Sequence, residues 1–332
     1  MTMVRVAING FGRMGRVFFR IAQKDLQIQI VAINSNVPHP RAAAYLLQFD
    51  SVYGRFPGQV AYDEESLIVE GRKFPYSSES EPTEQPWKKH GVDLVLEATG
   101  VLRDVEQAKK HLAAGARKVL LTAPGKGEMP TIVWGINESI YDRSKHHVVS
   151  AASCTTNCLV PVAYVLHKEF GIRKGLMTTV HAYTRSQNLV DGSNKEMVEG
   201  RAAAINIVPT STGAATAVGL VLPELKGKLD GMAFRVPTAT GSVVDLVAEL
   251  EREATQEQIN ETFRHYAKGP FKQILSVSDW PLVSSDCVGD PHSSIVDLTS
   301  TLVLQKNFVK VVAFYDNEWG YVSRLVDLVK YL

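Results

Sequence analysis

Ser153-Cys154-Thr155-Thr156-Asn157-Cys158 stands between an apolar strand-like run and a helix-like one. A helix start carries unpaired N–H groups and a partial positive charge, and both stabilise a thiolate. A cysteine there can lose roughly 1–5 pKa units relative to a free thiol and become a nucleophile near neutral pH. The chain also opens with Gly10-Phe11-Gly12-Arg13-Met14-Gly15, a G-x-G-x-x-G run that follows a strand pattern and starts a helix pattern. Glycines at this spacing permit a tight turn, close approach of backbone to a pyrophosphate, and close helix–strand packing. In that context the run reads as dinucleotide-binding rather than as an ordinary glycine turn. A reactive thiol plus a hydride carrier points to oxidation of an aldehyde through a covalent thioester.

His181, in Thr178-Thr179-Val180-His181-Ala182-Tyr183-Thr184 at or near a strand end, is the candidate base. Alone, such a histidine reads as structural. Beside a helix-start cysteine in the same half of the chain, a thiolate–imidazolium pair is the leading reading. Used as metal ligands instead, Cys154, Cys158 and His181 lack a second pair at ligand spacing, and a structural zinc site needs four ligands, so no metal is expected. A Cys154–Cys158 disulfide is disfavoured, because side chains one helical turn apart rarely reach the required geometry. Two further clusters can hold anions. Thr210-Ser211-Thr212-Gly213 is rich in hydroxyls and backbone donors, just before the helix-like Ala214–Leu222. Arg235 is a charge inside an apolar strand pattern, and its partner is either a phosphate, met by two parallel hydrogen bonds, or a carboxylate.

The glycine fingerprint predicts an Asp or Glu ~20 residues on, at the end of the second strand. That strand ends Ala32-Ile33-Asn34-Ser35-Asn36, without a carboxylate. A carboxylate would repel a 2′-phosphate, whereas Ser35 and Asn36 can donate hydrogen bonds to one. His39 and Arg41 lie close in sequence and can add positive charge. Use of NADP as well as NAD is therefore expected; the other reading is an NAD enzyme that holds its ribose by other contacts.

The elements that must position these residues fall into two halves of a 332-residue chain, long enough for two domains. Strand-like Val4–Asn9, Ile28–Asn34, Asp93–Ala98, Arg117–Thr122, Thr131–Gly135 and Val148–Ala151 alternate with helix-like Arg13–Lys24, Arg41–Phe49 and Asp104–Ala114, and Val60–Val69 reads as a hairpin. This is the pattern of a Rossmann, doubly wound parallel α/β sheet. After the helix near Cys154 come Leu176–Ala182, Met232–Val236, Ser242–Leu250, Ser294–Leu298 and Phe308–Phe314, which suggest an α+β catalytic domain with a mixed or antiparallel sheet. Thr255 and Gln258 have the spacing of a capping box ahead of a helix near Gln256–Ala267. The expected division is a dinucleotide-binding domain over 1–152 and a catalytic domain over 153–318. A C-terminal helix over 319–332 is expected to pack back on the first domain. Lys plus Arg total 36 against 35 Asp plus Glu, a net charge of +1, which argues against general affinity for nucleic acid or anionic membrane. Three cysteines, no secretory pattern and no apolar run near the ~20 residues of a membrane span point to a cytoplasmic protein.

Together these motifs resemble the phosphorylating glyceraldehyde-3-phosphate dehydrogenases. The blocks that carry the resemblance are Ala7–Arg13, Phe49-Asp50-Ser51-Val52-Tyr53-Gly54, Glu97-Ala98-Thr99-Gly100, Ala152–Leu159, His181–Thr184, Thr210–Ala215 and Asp316-Asn317-Glu318-Trp319-Gly320-Tyr321. The resemblance implies that Cys154 is the nucleophile and His181 the activating base. It implies that Ser153, Thr155, Thr212 and Gly213 position inorganic phosphate or nearby substrate groups, and that Thr184 and Arg235 hold the phosphate of a phosphorylated aldehyde. On the cofactor side it implies Gly10, Gly12, Arg13, Met14 and Gly15 at the pyrophosphate, Ser35 at the adenosine ribose, Thr99 at the dinucleotide, Thr122 beside the nicotinamide ribose, and Asn317 at the carboxamide. A homotetramer follows from the same resemblance. The departures are Ser35 for the family's Asp and Ser193 for its Pro, both resembling the NADP-using branch. Ser80 replaces an Arg beside the adenine. Val198-Glu199-Gly200-Arg201 and Arg185-Ser186-Gln187 depart from the family pattern near the anion sites. Rival readings are a sister dehydrogenase of erythrose 4-phosphate, a cysteine acyltransferase or hydrolase, and a non-catalytic cofactor-binding regulator.

Overall fold

The computed structural model describes residues 3–332, which divide into two compact units. The first comprises the residues up to Trp134, Glu138–Ala152 and Val322–Leu332; the second comprises Gly135–Asn137 and Ser153–Tyr321.

In the first unit the chain runs β1 (Val4–Asn9), α1 (Arg13–Ala22), β2 (Ile28–Asn34), α2 (Pro40–Gln48), and a two-residue ladder of β3 (Phe49–Asp50) with β4 (Gly54–Arg55). It continues through β5 (Val60–Tyr62), β6 (Ser66–Val69), β7 (Arg72–Ser77), β8 (Leu94–Glu97), α3 (Val105–Ala113), β9 (Lys118–Leu121) and β10 (Val148–Ser150). The sheet order is β10-β9-β8-β1-β2-β7-β6-β5, parallel from β10 to β7 and antiparallel beyond. Nearly continuous apolar strands pack on both faces, with Ile8, Ile33, Leu94, Leu96 and Trp87 all but fully buried. The chain winds outward from β1 through β2, then crosses to β8 on the other side. The carboxyl ends of β1 and β8 therefore flank a topological switch point, where open parallel sheets bind ligands.

The apolar run Thr131–Gly135 does not form the expected strand. Only a single bridge, Thr131 to Ser150, is made. Ile132 and Val133 are buried all the same, but Pro130 has no N–H to donate and Gly135 takes φ +81°, so the ladder cannot extend.

In the second unit α4 (Cys154–Phe170) leads through Gly171 into β11 (Ile172–Ala182). Then come β12 (Val208–Ser211), α5 (Ala214–Val221), β13 (Leu229–Val236), β14 (Ser242–Leu250), α6 (Gln256–Lys268), β15 (Leu275–Ser278), β16 (Ser294–Asp297), β17 (Leu302–Leu304), β18 (Phe308–Tyr315) and α7 (Trp319–Tyr331), whose last ten residues belong to the first unit. The sheet order β12-β13-β11-β14-β18-β16-β15 is mixed: β11–β13 and β15–β16 are parallel, the other pairs antiparallel, and β17 pairs with β18. Alternation decides its faces. Along β14, Val244, Leu246, Ala248 and Leu250 point into the core while their neighbours are half-buried. On β11, Thr179 and His181 face inward and Leu176 and Val180 outward. The parallel register sets His181 opposite Arg235.

Candidate active site

Three features start α4 at the nucleophile. Ala152 takes φ +58°, a left-handed conformation that costs a β-carbon-bearing residue roughly 1–2 kcal/mol. Ser153 then returns to extended backbone, and its hydroxyl accepts from the Thr156 N–H at 3.1 Å, a serine N-cap. Asn157 Nδ2 donates to Ser153 O at 2.9 Å and ties the first turn. Cys154 is thus the first residue of a 17-residue helix with no acid in its first turn.

Its Sγ lies 3.4 Å from Nε2 of His181. Nδ1 of His181 is 2.7 Å from Ala182 O, and its two neighbours favour opposite tautomers: a hydrogen on Nδ1 donates to Ala182 O and leaves Nε2 to accept the thiol proton, whereas the donor-only guanidinium of Arg235 calls for a lone pair there. Nη1 of Arg235 is 2.6 Å from Nδ1 and 3.2 Å from Ala182 O. The Tyr315 ring stands 6.0 Å from the imidazole, centroid to centroid, and its hydroxyl bridges Thr155 and Thr179.

The electrostatics around the expected thiolate–imidazolium pair pull in opposite directions. Burial pushes the Cys154 thiol above its ordinary value, against the opposing pull of Arg235 and of hydrogen bonds at the helix start. Burial, aided by Arg235, pushes His181 down to about 3. Both shifts favour the neutral thiol and imidazole over the ion pair: a helix terminus supplies about half a unit charge, and desolvation opposes it. A consequence is that, in the cofactor-free protein, alkylation of Cys154 by iodoacetamide should still be accelerating between pH 8 and 9.5. Cys158 and Cys287, both buried, serve as unlabelled controls in the same mass spectrum. A rate already level at pH 7 would show a preformed thiolate instead.

The residues expected at the anion sites separate into two groups. Ser153 and Thr212 are half-buried and Thr184 and Gly213 exposed. Gly213 opens α5, and the first N–H of that helix, on Ala214, donates to the Thr212 hydroxyl at 3.2 Å, so a negative charge here would meet the N–H groups after it. Thr184 N–H donates to Gln187 Oε1 at 2.7 Å, fixing its loop. Arg235 has a buried Nε without a hydrogen-bond partner, so part of its fork is unspent. Thr155 corrects the expectation: it is 4% exposed and its hydroxyl is engaged by Tyr315 at 2.9 Å. One helical step of about 100° turns it into the core, so its side chain braces the sheet rather than an anion.

In the first unit the glycine run has the shape of a pyrophosphate cradle. Gly10 has φ +97°, and a β-carbon there would come within 2.7 Å of Thr99 N. One on Gly15 would meet Gly10 O at 2.2 Å, whereas one on Gly12 would meet nothing within 4 Å. The turn is closed against β8 and against α1, and open where a ligand would approach. α1 has neither a side-chain cap nor an acid in its first turn. These observations fit a dinucleotide. Arg13, expected at the pyrophosphate, spends Nη1 on Asp50 at 2.6 Å, and Asp50 Oδ1 accepts from Val52 and Tyr53 N–H. Met14 is half-buried beside Arg13.

Sequence reasoning missed the organiser of this turn, Glu97. Its carboxylate accepts from Asn9 Nδ2 at 2.6 Å, from Thr99 N–H at 2.9 Å and from the Thr99 hydroxyl, and lies 3.0 Å from His111 Nε2. Trp87 Nε1 donates to His111 Nδ1 at 3.0 Å, which places the ring hydrogen on Nε2, pointing at Glu97. Thr122 hydroxyl donates to Glu97 O at 3.1 Å. A glutamate closing an apolar strand, 3% exposed in the fold, is the signal that was available. Ser35 is buried at the end of β2, beside the Tyr76 phenol. His39, expected to add charge there, caps α2 instead: its Nδ1 accepts from Arg41 N–H at 3.0 Å. In the second unit Asn317 Oδ1 accepts from Thr240, Gly241 and Ser242, which orients the amide with Nδ2 as its donor.

A doubly wound dinucleotide-binding unit joined to a unit that presents a helix-start thiol to an imidazole defines a nicotinamide-dependent oxidoreductase acting on an aldehyde. Comparison with known proteins narrows the class. Residues 4–105 match the NAD binding domain, and residues 153–317 the C-terminal domain, of glyceraldehyde 3-phosphate dehydrogenase. Similar proteins include the glyceraldehyde-3-phosphate dehydrogenase of Geobacillus stearothermophilus, 51% identical over 99% of this chain and 98% of its own. Glyceraldehyde-3-phosphate dehydrogenase 2 of Bacillus subtilis is 49% identical over 99% and 96%, and that of Trichormus variabilis 50% over 99% and 98%. The chain belongs to the glyceraldehyde-3-phosphate dehydrogenase family.

Proposed function

We propose that this protein oxidises glyceraldehyde 3-phosphate with NAD or NADP and inorganic phosphate to 1,3-bisphosphoglycerate, reversibly, through a thioester on Cys154. The observation that carries the reading is the 3.4 Å contact between Sγ and His181 Nε2 at the first turn of α4. As Sγ attacks the aldehyde carbon, Nε2 takes the thiol proton and returns it to the new oxyanion, giving a hemithioacetal. When bound, the dinucleotide supplies the acceptor for the hydride that this carbon gives up. His181 takes the hydroxyl proton in the same step, and the carbonyl re-forms as a thioester. An oxygen of inorganic phosphate then attacks that carbon, the C–S bond breaks, and the imidazolium protonates the departing sulfur.

Arg235 and Thr184 would hold the substrate's phosphate, and Ser153, Thr212 and Gly213 the attacking one. Gly10, Gly12, Arg13, Met14, Gly15, Thr99 and Thr122 would hold the dinucleotide along its length, and Asn317 Nδ2 its carboxamide. NADP is accepted in this reading because Ser35 puts no carboxylate at the adenosine ribose. A homotetramer is proposed on two apolar surfaces of the second unit: the sheet face with Leu176, Val180 and Met232, and the 183–207 segment with Leu189, Met197 and Ile205, all exposed. Light scattering should then give four times 36.5 kDa. Cytoplasmic residence is proposed on the three free cysteines, and among the described residues no helix is long and apolar enough to cross a membrane.

Initial rates with each dinucleotide, with and without phosphate, test the reaction: an acyl phosphate product requires phosphate. For the cofactor, Ser35→Asp should lower kcat/KM with NADP by about a hundredfold while sparing NAD, since bringing like charges together costs several kcal/mol. An unchanged NADP to NAD ratio would show that Ser35 does not discriminate.

A further inference from the structure

The amino ends of the parallel strands in the first unit form the edge opposite the Gly10 turn, and they border a cavity of about 970 Å³. Val4, Leu94 and Lys118, at the starts of β1, β8 and β9, line it, with Leu112 of α3 and the end of α7. A cavity of this size holds a small molecule. Its charge is predominantly positive: Arg117, Lys118, Arg143 and Lys330 face the Asp93 side chain and the terminal residue Leu332.

Two of these cations are paired, Arg117 with Asp93 at 3.2 Å and Lys330 with Asp25 at 3.1 Å. Among the described residues, Lys118 and Arg143 have no carboxylate within ion-pair distance. Lys118 Nζ donates instead to two backbone carbonyls, Arg143 O at 2.6 Å and His146 O at 2.9 Å, and lies 5.2 Å from the centre of the Tyr141 ring. Asp142, whose charge reaches Lys118, is committed to the Ser144 hydroxyl and to Lys145 at 3.3 Å. Burial first, and then the charge of Arg143, hold the Lys118 ammonium below its usual range. Two like charges kept together at a cavity wall cost free energy that an anion between them would recover.

We propose that this cavity binds an organic phosphate with a compact apolar body, its phosphate between Lys118 and Arg143 and its body against Leu94, Leu112 and Tyr331. The lysine supplies a point charge and the arginine a planar fork, the pair of donors suited to a phosphate. The site lies at the opposite strand ends from those that parallel sheets use for dinucleotides, and it stands independently of the aldehyde chemistry.

Phenyl phosphate is the probe, titrated by calorimetry into the full-length, NAD-saturated protein, with phenol and inorganic phosphate titrated separately. Phenyl phosphate should saturate one site per chain, and Arg143→Glu should weaken it by at least about tenfold, because the new carboxylate would fill the anion's place beside Lys118. The same variant should raise Tm, since Lys118 gains a partner, and should leave kcat/KM for the aldehyde and the binding of inorganic phosphate unchanged. Lys118→Met, which keeps the aliphatic stem, should weaken the probe in the same way. Phenol should not bind. Equal affinity for phenyl phosphate in Arg143→Glu and wild type, or no saturation by ~10 mM, would overturn the proposal.

Discussion

Replacing Cys154 with Ser should reduce aldehyde oxidation by about 10⁴-fold or more, while the Kd for NAD stays within about twofold of wild type. The asymmetry follows from where the groups sit. Gly10, Gly12 and Gly15, with the Glu97 hub that shapes them, lie in the first unit, and Cys154 in the second. Serine keeps the shape and hydrogen-bonding capacity of the residue, so α4 should start as before and Tm should change little. What is lost is a sulfur that gives up its proton far more readily than a hydroxyl and forms a thioester that phosphate can open. Stopped-flow mixing is the decisive measurement. Wild type should show a burst of reduced dinucleotide equal to the active-site concentration when phosphate is absent, since acylation then runs once. Cys154→Ser should show none. A burst of normal size in the variant would mean that the covalent intermediate forms elsewhere.

The parts of this site that were legible in the sequence are those fixed by short-range rules. A cysteine at a helix start, the glycine spacing after β1, and the Thr255–Gln258 capping box each act over a few residues, and the structure contains all three. What could not be read depends on pairings between distant segments. The opposition of His181 and Arg235 is a matter of strand register, 54 residues apart. Thr155 and Ser153 look alike in sequence, but helix phase sends one hydroxyl to Tyr315 and leaves the other at the cap. His39 had a second use close at hand, the cap of α2, which competed with a role at the ribose. Arg13 likewise had Asp50, brought alongside by the β3–β4 ladder. The pull of burial toward a neutral thiol–imidazole pair is the clearest case. The helix field is visible in a sequence, but the desolvation that opposes it belongs to the packed fold.

That neutrality bears on how the pair works. A base held near a pKa of 3 takes little proton at rest. Arg235 is the charged group that helps to keep it there, with its Nη1 at 2.6 Å from Nδ1. The same guanidinium is the proposed holder of the substrate's phosphate. An anion that engages Arg235 would offset its charge, so substrate binding would raise the basicity of the imidazole as the aldehyde arrives.

The second large effect is expected from His181→Asn, which should lower kcat/KM for the aldehyde by about 10²–10⁴-fold, the usual worth of a positioned base. Asparagine can still donate toward Ala182 O, so the end of β11 should hold. A merely structural histidine would change Tm and leave the rate per folded molecule intact; a base changes that rate and its dependence on pH. Stability supplies an independent readout whose sign is fixed by linkage. In the unfolded chain the imidazole titrates near 6.5, and in the fold at about 3. Between those values the unfolded state binds the extra proton, so this contribution is full above pH 6.5 and is lost as pH falls toward 3. Tm of wild type should therefore fall more steeply than that of His181→Asn from pH 6.5 downward, and the two should run parallel above it. Parallel curves throughout the acid range would mean that His181 is already charged in the fold, and the neutral thiol–imidazole pair from which the mechanism starts would have to be replaced by an ion pair.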